Sequence, residues 1–307
     1  MNSVRIGIEA PSDWYEYNNL ETGLEKIRSR GHEVICPTNL RVRVADFMAG
    51  TVEQRLSDLG ELCKEEVGVI WVAEGGYAAP ELRHGLDKMA DKLVGKWLVG
   101  YSDATVLHLA WHKWGGRSLY APNICGAWEW TKDSLERVFE ILEGVNRVVY
   151  EGGKEVISGE TEGKVLAVNL ETFCMSLGTI HDPLIGATSP IILGLEEYRQ
   201  DWSVISRQLE QILDHVGFEM VVGIVLGRFS QMREEGYPLW AAKMGGIEGL
   251  LAEKLARRGW SLPVWRYDTW GHDGDGPAES EAFHPIVNGA NSLLTVSRGW
   301  GEWKMEW

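Results

Sequence analysis

Ser102 lies where the sequence changes from a strand pattern to a helix pattern. An apolar run over residues 93–99 leads into Gly-Tyr-Ser-Asp at 100–103, and apolar residues at helical spacing follow over 106–110. A serine on such a sharp turn points its hydroxyl into solvent and lies near the N-terminus of the next helix, as in a nucleophile elbow. We therefore predict that Ser102 is a nucleophile. The alternative is that Ser102 or Asp103 only caps the helix.

A serine hydroxyl is a weak nucleophile, so it needs a nearby base and an acidic residue that orients this base. Among the eight histidines, His272 is the best candidate because it lies in the glycine-rich loop 271–276, just after a strand pattern at 264–267. Loops on a rigid scaffold often carry catalytic side chains. The alternative for His272 is an exposed turn residue.

A carboxylate that could orient His272 follows the apolar strand pattern at 191–195. At the end of this strand, Glu196 could hold the imidazole in the required tautomer. The adjacent Glu197 is the competing candidate for this role, and the alternative is that the Glu197 side chain is simply solvated. The sequence thus contains the three residue types of a serine hydrolase triad.

Gly75 and Gly76 follow another strand pattern, at 67–72. Because they lack side chains, a backbone N–H can approach a substrate closely there. Together with the elbow, they predict an oxyanion hole formed by the N–H groups of Gly76 and Asp103.

Composition limits the class of protein. At 307 residues the chain exceeds what one hydrophobic core usually supports, which favours two domains. A formal charge of −15 argues against nucleic acid or an anionic membrane as a partner, because these require an excess of Lys and Arg. The first residues show no signal-peptide pattern and no apolar run approaches the ~18 residues of a membrane span, so we expect a cytoplasmic protein. The four cysteines are far apart and predict neither a zinc site nor disulfides.

Strand and helix patterns alternate in the first part of the chain. We predict strands at 4–8, 33–36, 67–72 and 93–99, and helices at 20–29, 51–65 and 80–90. Such alternation is typical of a doubly wound α/β domain, whose site lies at the carboxyl ends of the strands. We therefore expect a first domain at 1–140.

The pattern changes after Glu129. Residues 145–168 carry short strand-like segments separated by glycines, which predicts a linker at 141–165 and a second domain at 166–307. In this domain we predict strands at 191–195, 221–226 and near Val264, helices at about 204–215 and 246–257, and a final strand at 292–296.

Four segments resemble, in order and spacing, the signature blocks of the LD-carboxypeptidase family. They are Val72–Tyr77, Val99–Asp103, Leu195–Glu197 and Asp268–His272. The family includes muramoyltetrapeptide carboxypeptidases and microcin C self-immunity proteins. The resemblance covers nearly the whole chain and extends to 6–12, 48–51, Asn169 and 176–179. It is specific because the order Ser, Glu, His across two domains is unusual.

The resemblance implies an α/β fold with two parts: an N-terminal Rossmann-like (flavodoxin-like) parallel-sheet domain, and a C-terminal domain with a β-rich, barrel-like core and helices. It implies that Ser102 is the nucleophile, His272 the general base and Glu196 the residue that orients it, with oxyanion N–H groups from Gly76 and Asp103. Family members use no metal and commonly form dimers, so we expect no cofactor and a homodimer. The expected enzyme is a serine carboxypeptidase-like hydrolase that cleaves an amide bond in a small peptide or peptide conjugate through an acyl-enzyme.

Positions that line the substrate cleft in relatives differ here. Glu74 replaces the arginine that family carboxypeptidases usually have before the glycine pair, and Ala78-Ala79 stand where immunity proteins have an asparagine. The usual Gly-His-Thr is changed after His272, with an insertion through Ala282. The alternatives are therefore a microcin-immunity-like hydrolase, a tailoring acyl-transfer enzyme and a non-catalytic ligand-binding homologue.

We expect five residues to contact the substrate: Glu74, Gly75, Tyr77, Trp128 and Trp270. Planar tryptophan rings could stack on a nucleobase or another aromatic group, and core packing is their alternative. The alternative for Glu74 is a side chain that points to solvent or pairs with Arg83.

Overall fold

The computed structural model describes residues 3–64, 66–126, 132–233, 243–272 and 283–307. The chain divides into two compact units. The first comprises the described parts of 1–145, 178–182 and 277–289, and the second those of 146–177, 183–276 and 290–307. No helix in the described ranges is long and apolar enough to span a membrane.

The first unit is built on a six-stranded sheet with the order β12-β5-β4-β3-β1-β2. Its strands are β1 (Arg5–Glu9), β2 (Glu33–Ile35), β3 (Val69–Val72), β4 (Trp97–Gly100), β5 (Ser118–Tyr120) and β12 (Ile286–Asn288). The first five are parallel, and β12 is antiparallel to β5. Every residue of β3 is buried, as in the centre of a parallel sheet that is covered on both faces.

The helices of the first unit are α1 (Tyr17–Ser29), α2 (Val52–Lys64), α3 (Arg83–Leu86), α4 (Ala90–Leu93), α5 (Thr105–Lys113) and α6 (Lys132–Leu142). The single helix predicted at 80–90 is instead a series of short 3₁₀ turns with α3 and α4. Gly85, in the middle of this segment, has low helix propensity, which disfavours one continuous helix. The strand predicted at 93–99 begins only at Trp97 because α4 extends to Leu93.

The second unit contains an eight-stranded sheet with the order β6-β14-β13-β8-β9-β10-β11-β7. Its strands are β6 (Arg147–Gly152), β7 (Lys154–Ile157), β8 (Gly159–Asn169), β9 (Ile191–Tyr198), β10 (Val221–Ser230), β11 (Val264–Arg266), β13 (Asn291–Ser297) and β14 (Trp300–Glu306). Strands β8 to β11 are parallel to one another, and the other pairings are antiparallel. No pairing joins the edge strands β6 and β7 within the described residues, so the β-rich core is not a closed barrel.

In the part of the second unit that the structure describes, the helices are α7 (Leu170–Cys174), α8 (Trp202–Leu213) and α9 (Gly246–Arg257). Residues 147–165 differ from the linker predicted at 141–165, since they form β6, β7 and much of β8. Of the glycines that suggested a linker, Gly152, Gly153 and Gly159 lie at strand ends or between strands, whereas Gly163 lies inside β8. A further strand, β14, follows the strand predicted as the last one. The α/β class and the β-rich second sheet are as predicted.

Candidate active site

Ser102 lies in the turn between β4 and α5. Gly100 ends β4, and residues 102–104 form a 3₁₀ turn that leads into α5. The φ angle of Ser102 is +64°, in the left-handed region that residues with a side chain rarely adopt. Tyr101, and not Ser102, occupies the N-cap position, without a side-chain capping bond. The backbone therefore has the strained turn of a nucleophile elbow, and the capping alternative is wrong.

Two hydrogen bonds from the backbone fix this turn. The N–H of Tyr101 donates to Oδ1 of Asn123 at 3.1 Å, and the N–H of Ser102 donates to the hydroxyl oxygen of Tyr120 at 3.2 Å. Asn123 is buried. Tyr120 ends β5, the next strand of the sheet, and Asn123 follows three residues later. The sheet itself therefore holds the elbow.

The buried carboxylate of Asp103 ties the elbow to the turn that contains the glycine pair. Its Oδ2 accepts hydrogen bonds from the hydroxyl of Ser12 at 2.5 Å and from the N–H of Ala79 at 2.8 Å. The Ser12 hydroxyl oxygen accepts in turn from the N–H of Ala78 at 3.0 Å. Burial raises the pKa of Asp103 to about 6, although these hydrogen bonds favour its charged form.

Gly76 lies in this turn with a backbone that requires glycine. Its φ is +128°, and an added Cβ would fall 2.0 Å from Cγ of Asp13. Oδ1 of Asp13 accepts from the N–H of Tyr77 at 3.0 Å, and the N–H of Asp13 donates to the carbonyl of Gly75. The N–H of Asp103 lies in the first helical turn, where backbone N–H groups have no intrahelical hydrogen-bond partner. We call Gly75, Gly76, Ser102 and Asp103 the serine cluster.

Glu196 and His272 meet in the second unit. Nδ1 of His272 donates to Oε2 of Glu196 at 2.7 Å, and the backbone N–H of His272 donates to the same oxygen at 3.0 Å. The Glu196 side chain is fully buried, whereas 13% of the His272 side chain is exposed. Gly271 permits this approach, because its φ is +94° and a Cβ there would lie 2.7 Å from Cβ of Glu196. A buried carboxylate thus holds the imidazole in the tautomer with Nδ1–H.

Asn169 links Glu196 to the neighbouring carboxyl of Glu197. Its Nδ2 donates to Oε1 of Glu196 at 3.3 Å and to Oε1 of Glu197 at 3.1 Å. Glu197 also accepts from the N–H groups of Glu171 and Tyr198, and it is 2% exposed. Burial, and secondarily the charge of Glu196, raises the pKa of Glu197 to about 7. The alternative that Glu197 is a solvated side chain is therefore wrong. Asn169, Glu196, Glu197 and His272 form the histidine cluster.

The predicted substrate contacts differ in accessibility. Tyr77 is 77% exposed, and Glu74 is half-buried with Oε1 accepting from the N–H of Gly75 at 3.0 Å. Trp270 is fully buried and packs on Gly194 and Gly227, which favours its packing alternative over ligand stacking. Trp128 and the insertion after His272 lie outside the described residues.

Sequence reasoning missed several positioning side chains. The carboxylate of Asp103 and the hydroxyl of Ser12 received no role, and neither did the amide of Asn123. Ser12 and Asn169 lie in segments of the family resemblance, which was the signal available for them. Asn123 offered none, because its contact depends on the pairing of β4 with β5.

Family models match both halves of the chain. Residues 6–121 match the LD-carboxypeptidase N-terminal domain, and residues 162–278 match the LD-carboxypeptidase C-terminal domain. The chain is also 28% identical over 244 residues to the murein tetrapeptide carboxypeptidase of Pseudomonas aeruginosa, which covers 74% of this chain and 76% of the relative.

Solved structures share the fold. The muramoyltetrapeptide carboxypeptidase of Oxalobacter formigenes matches with a TM-score of 0.78 at 21% identity, covering 98% of both chains. The microcin C7 self immunity protein MccF, in complex with aspartyl sulfamoyl adenosine, matches with a TM-score of 0.77 at 18% identity, covering 100% of this chain and 97% of that one. The expected family and fold class are thus confirmed. The chain belongs to the LD-carboxypeptidase family and is a serine carboxypeptidase-type hydrolase.

Proposed function

We propose that this enzyme cleaves an amide bond next to a free carboxylate in a small peptide or peptide conjugate. Ser102 attacks the carbonyl carbon while Nε2 of His272 takes the hydroxyl proton, and the N–H groups of Gly76 and Asp103 bind the oxyanion. The proton passes from His272 to the leaving amine, which leaves an acyl-enzyme on Ser102. Water then attacks this ester with His272 as the base, and the carboxylic acid product leaves.

The observation that carries the proposal is the left-handed backbone of Ser102, at φ +64° between a strand and a helix. Strain of this kind costs on the order of 1–3 kcal/mol and persists where the surroundings enforce it. Here Asn123, Tyr120 and Asp103 enforce it through hydrogen bonds. A structural serine needs no such arrangement.

The contact between His272 and Glu196 supports the base assignment. Because Nδ1–H is held by a buried carboxylate, the neutral imidazole keeps the lone pair on Nε2. The same carboxylate stabilises the imidazolium that forms when Nε2 takes the serine proton.

A murein-type L,D-peptide is the first substrate class to test. The Pseudomonas relative and the Oxalobacter structure are named for murein tetrapeptide and muramoyltetrapeptide cleavage. The family arginine before the glycine pair is Glu74 here, so recognition of a substrate carboxylate at this position must differ from that of the carboxypeptidases.

A second candidate substrate is an aminoacyl-nucleotide conjugate, cleaved as an immunity function or used in acyl transfer. The exposed ring of Tyr77 favours it, because this ring directly follows the proposed oxyanion donor Gly76 and could stack on a planar base. The MccF structure in complex with aspartyl sulfamoyl adenosine has the same fold.

The test compares the enzyme with Ser102→Ala and His272→Ala on a murein tetrapeptide and on an aminoacyl sulfamoyl adenosine. We expect each variant to lose about a thousandfold or more of kcat/KM on the preferred substrate, because members of a triad act as a unit. A serine-directed phosphonate should add one adduct by intact mass to the wild type and none to Ser102→Ala. Full turnover by Ser102→Ala would refute the assignment of Ser102 as the nucleophile. Tight reversible binding without an adduct or turnover would instead favour a ligand-binding homologue. The homodimer, the cytoplasmic location and the lack of a cofactor stay predictions.

A further inference from the structure

The ring of Tyr198 stacks flat on the imidazole of His272. The ring centroids are 5.0 Å apart and the planes differ by 6°. Tyr198 is the last residue of β9 and follows Glu196 by two positions, so both side chains point to the same face of the strand. One strand therefore contacts the imidazole twice, with a carboxylate at its edge and with a ring on its face.

The ends of β9 and β10 hold this stack. The carbonyl of Ser230 accepts from the N–H of Arg199 at 3.1 Å, and the hydroxyl of Ser230 donates to the carbonyl of His272 at 2.8 Å. Arg199 has a φ of +56°, and its guanidinium carbon lies 4.9 Å from the centroid of the Tyr198 ring. Its Nε donates to Oε1 of Gln231 at 2.8 Å. Backbone turns and a cation thus fix Tyr198 next to His272.

We infer that Tyr198 is a positioning residue for the general base: its ring fixes the plane of the His272 imidazole. A hydrogen bond at Nδ1 alone leaves the imidazole free to swing about that bond, which would move Nε2. A flat aromatic face removes this freedom, so Nε2 keeps one direction. The inference rests on the proposed role of His272 as the base.

Charged groups near His272 within the described residues are Glu196, Glu197, Arg199 and Arg228. The flat stack restricts the imidazole to one plane against the ring of Tyr198. Loss of the ring should therefore weaken the positioning of His272.

The test compares Tyr198→Phe with Tyr198→Leu. Phenylalanine keeps the ring and should retain kcat/KM within about twofold, whereas leucine should lower kcat about tenfold with little change in KM. Equal losses in both variants, or an unchanged kcat in Tyr198→Leu, would overturn the inference.

If Tyr198→Leu does not fold, the stack of Tyr198 on His272 can be tested in the wild-type protein by NMR, without measuring catalysis. In the wild type, the imidazole Hε1 resonance of His272, assigned by its loss in His272→Ala, should be shifted upfield by the ring current of Tyr198. An ordinary chemical shift would overturn the stack. Full activity of His272→Ala would instead refute the proposed function, which separates the two failures.

Discussion

The serine cluster and the histidine cluster are positioned by different parts of the chain. Around Ser102 the backbone carries the geometry, with left-handed φ angles at Ser102 and Gly76. Around His272 side chains carry it, because the carboxylate of Glu196 receives both Nδ1–H and the backbone N–H of His272, 76 residues away. A Cβ added at Gly76 therefore tests the first arrangement, and a change of side-chain chemistry at Glu196 tests the second.

Gly76→Ala tests the backbone-determined cluster and should have the largest effect. The new Cβ would fall 2.0 Å from Cγ of Asp13 and strain a φ of +128°, so the turn and its N–H must move. Loss of one oxyanion donor costs about a hundredfold to a thousandfold in kcat, which steady-state kinetics would measure. Gly31→Ala is the matched control, since its φ is +86° and an added Cβ meets nothing within 4 Å. Equal, small effects of both changes would contradict the proposed role of Gly76.

Glu196→Gln tests the side-chain-determined cluster. The amide keeps the shape but removes the charge, and its nitrogen must face either His272 or the donating Nδ2 of Asn169. We expect kcat to fall about a hundredfold, less than in His272→Ala, since the base remains while its orientation and imidazolium stabilisation are weakened. Glu162→Gln, at an exposed position of β8, is the matched control. Wild-type kcat in Glu196→Gln would show that the carboxylate is not needed.

The same difference explains what could be predicted from the sequence. The elbow at 100–103 is a local pattern, and so are the two apolar strand patterns that precede the glycine pair and Glu196. These strands, β3 and β9, belong to different sheets, and in each parallel sheet a site is expected at the carboxyl ends of the strands. The contact of Asn169 with both glutamates requires the register of β8 against β9, which pairs Asn169 with Glu196. No local pattern encodes this register.

Element boundaries failed for related reasons. Short apolar segments separated by glycines are compatible with a linker and with strands, and pairing with β9, β11, β13 and β14, all distant in sequence, makes 147–165 part of a sheet. The helix predicted at 80–90 is divided into short 3₁₀ and α segments, and Gly85 lies in its middle.

Each cluster also contains one buried carboxyl with a raised pKa, about 6 for Asp103 and about 7 for Glu197, against ordinary values of 3.8 and 4.5. Between the ordinary and the raised value, the folded protein binds more protons than the unfolded chain. The free energy of unfolding must therefore fall as pH rises through about 4 to 6 for Asp103 and about 4.5 to 7 for Glu197. Each contribution is at most about 3 kcal/mol.

Asp103→Asn and Glu197→Gln should each remove the fall in the free energy of unfolding that the replaced carboxyl causes. As pH rises through the range of the replaced carboxyl, each variant should gain stability relative to the wild type, because the amide never has to be charged in a buried position. Denaturant midpoints at a series of pH values measure this. A difference between variant and wild type that does not change with pH would contradict the assignment. The pH range over which stability is gained should end at a lower pH for Asp103→Asn than for Glu197→Gln, which would distinguish the two clusters.

Glu74→Arg tests the edge of the serine cluster, where this chain departs from the family pattern, and should have the smallest effect. The half-buried Glu74 carboxylate accepts from the N–H of Gly75, so it lies close to the proposed oxyanion turn and disfavours an anionic group there. An arginine offers a bidentate donor to a substrate carboxylate. We expect the ratio of kcat/KM for peptides with a free terminal carboxylate to that for their amides to rise about tenfold, equivalent to ~1.4 kcal/mol. Glu74→Gln removes the charge without adding a donor and should give a smaller rise. An unchanged ratio in a folded Glu74→Arg variant would show that this position does not determine specificity.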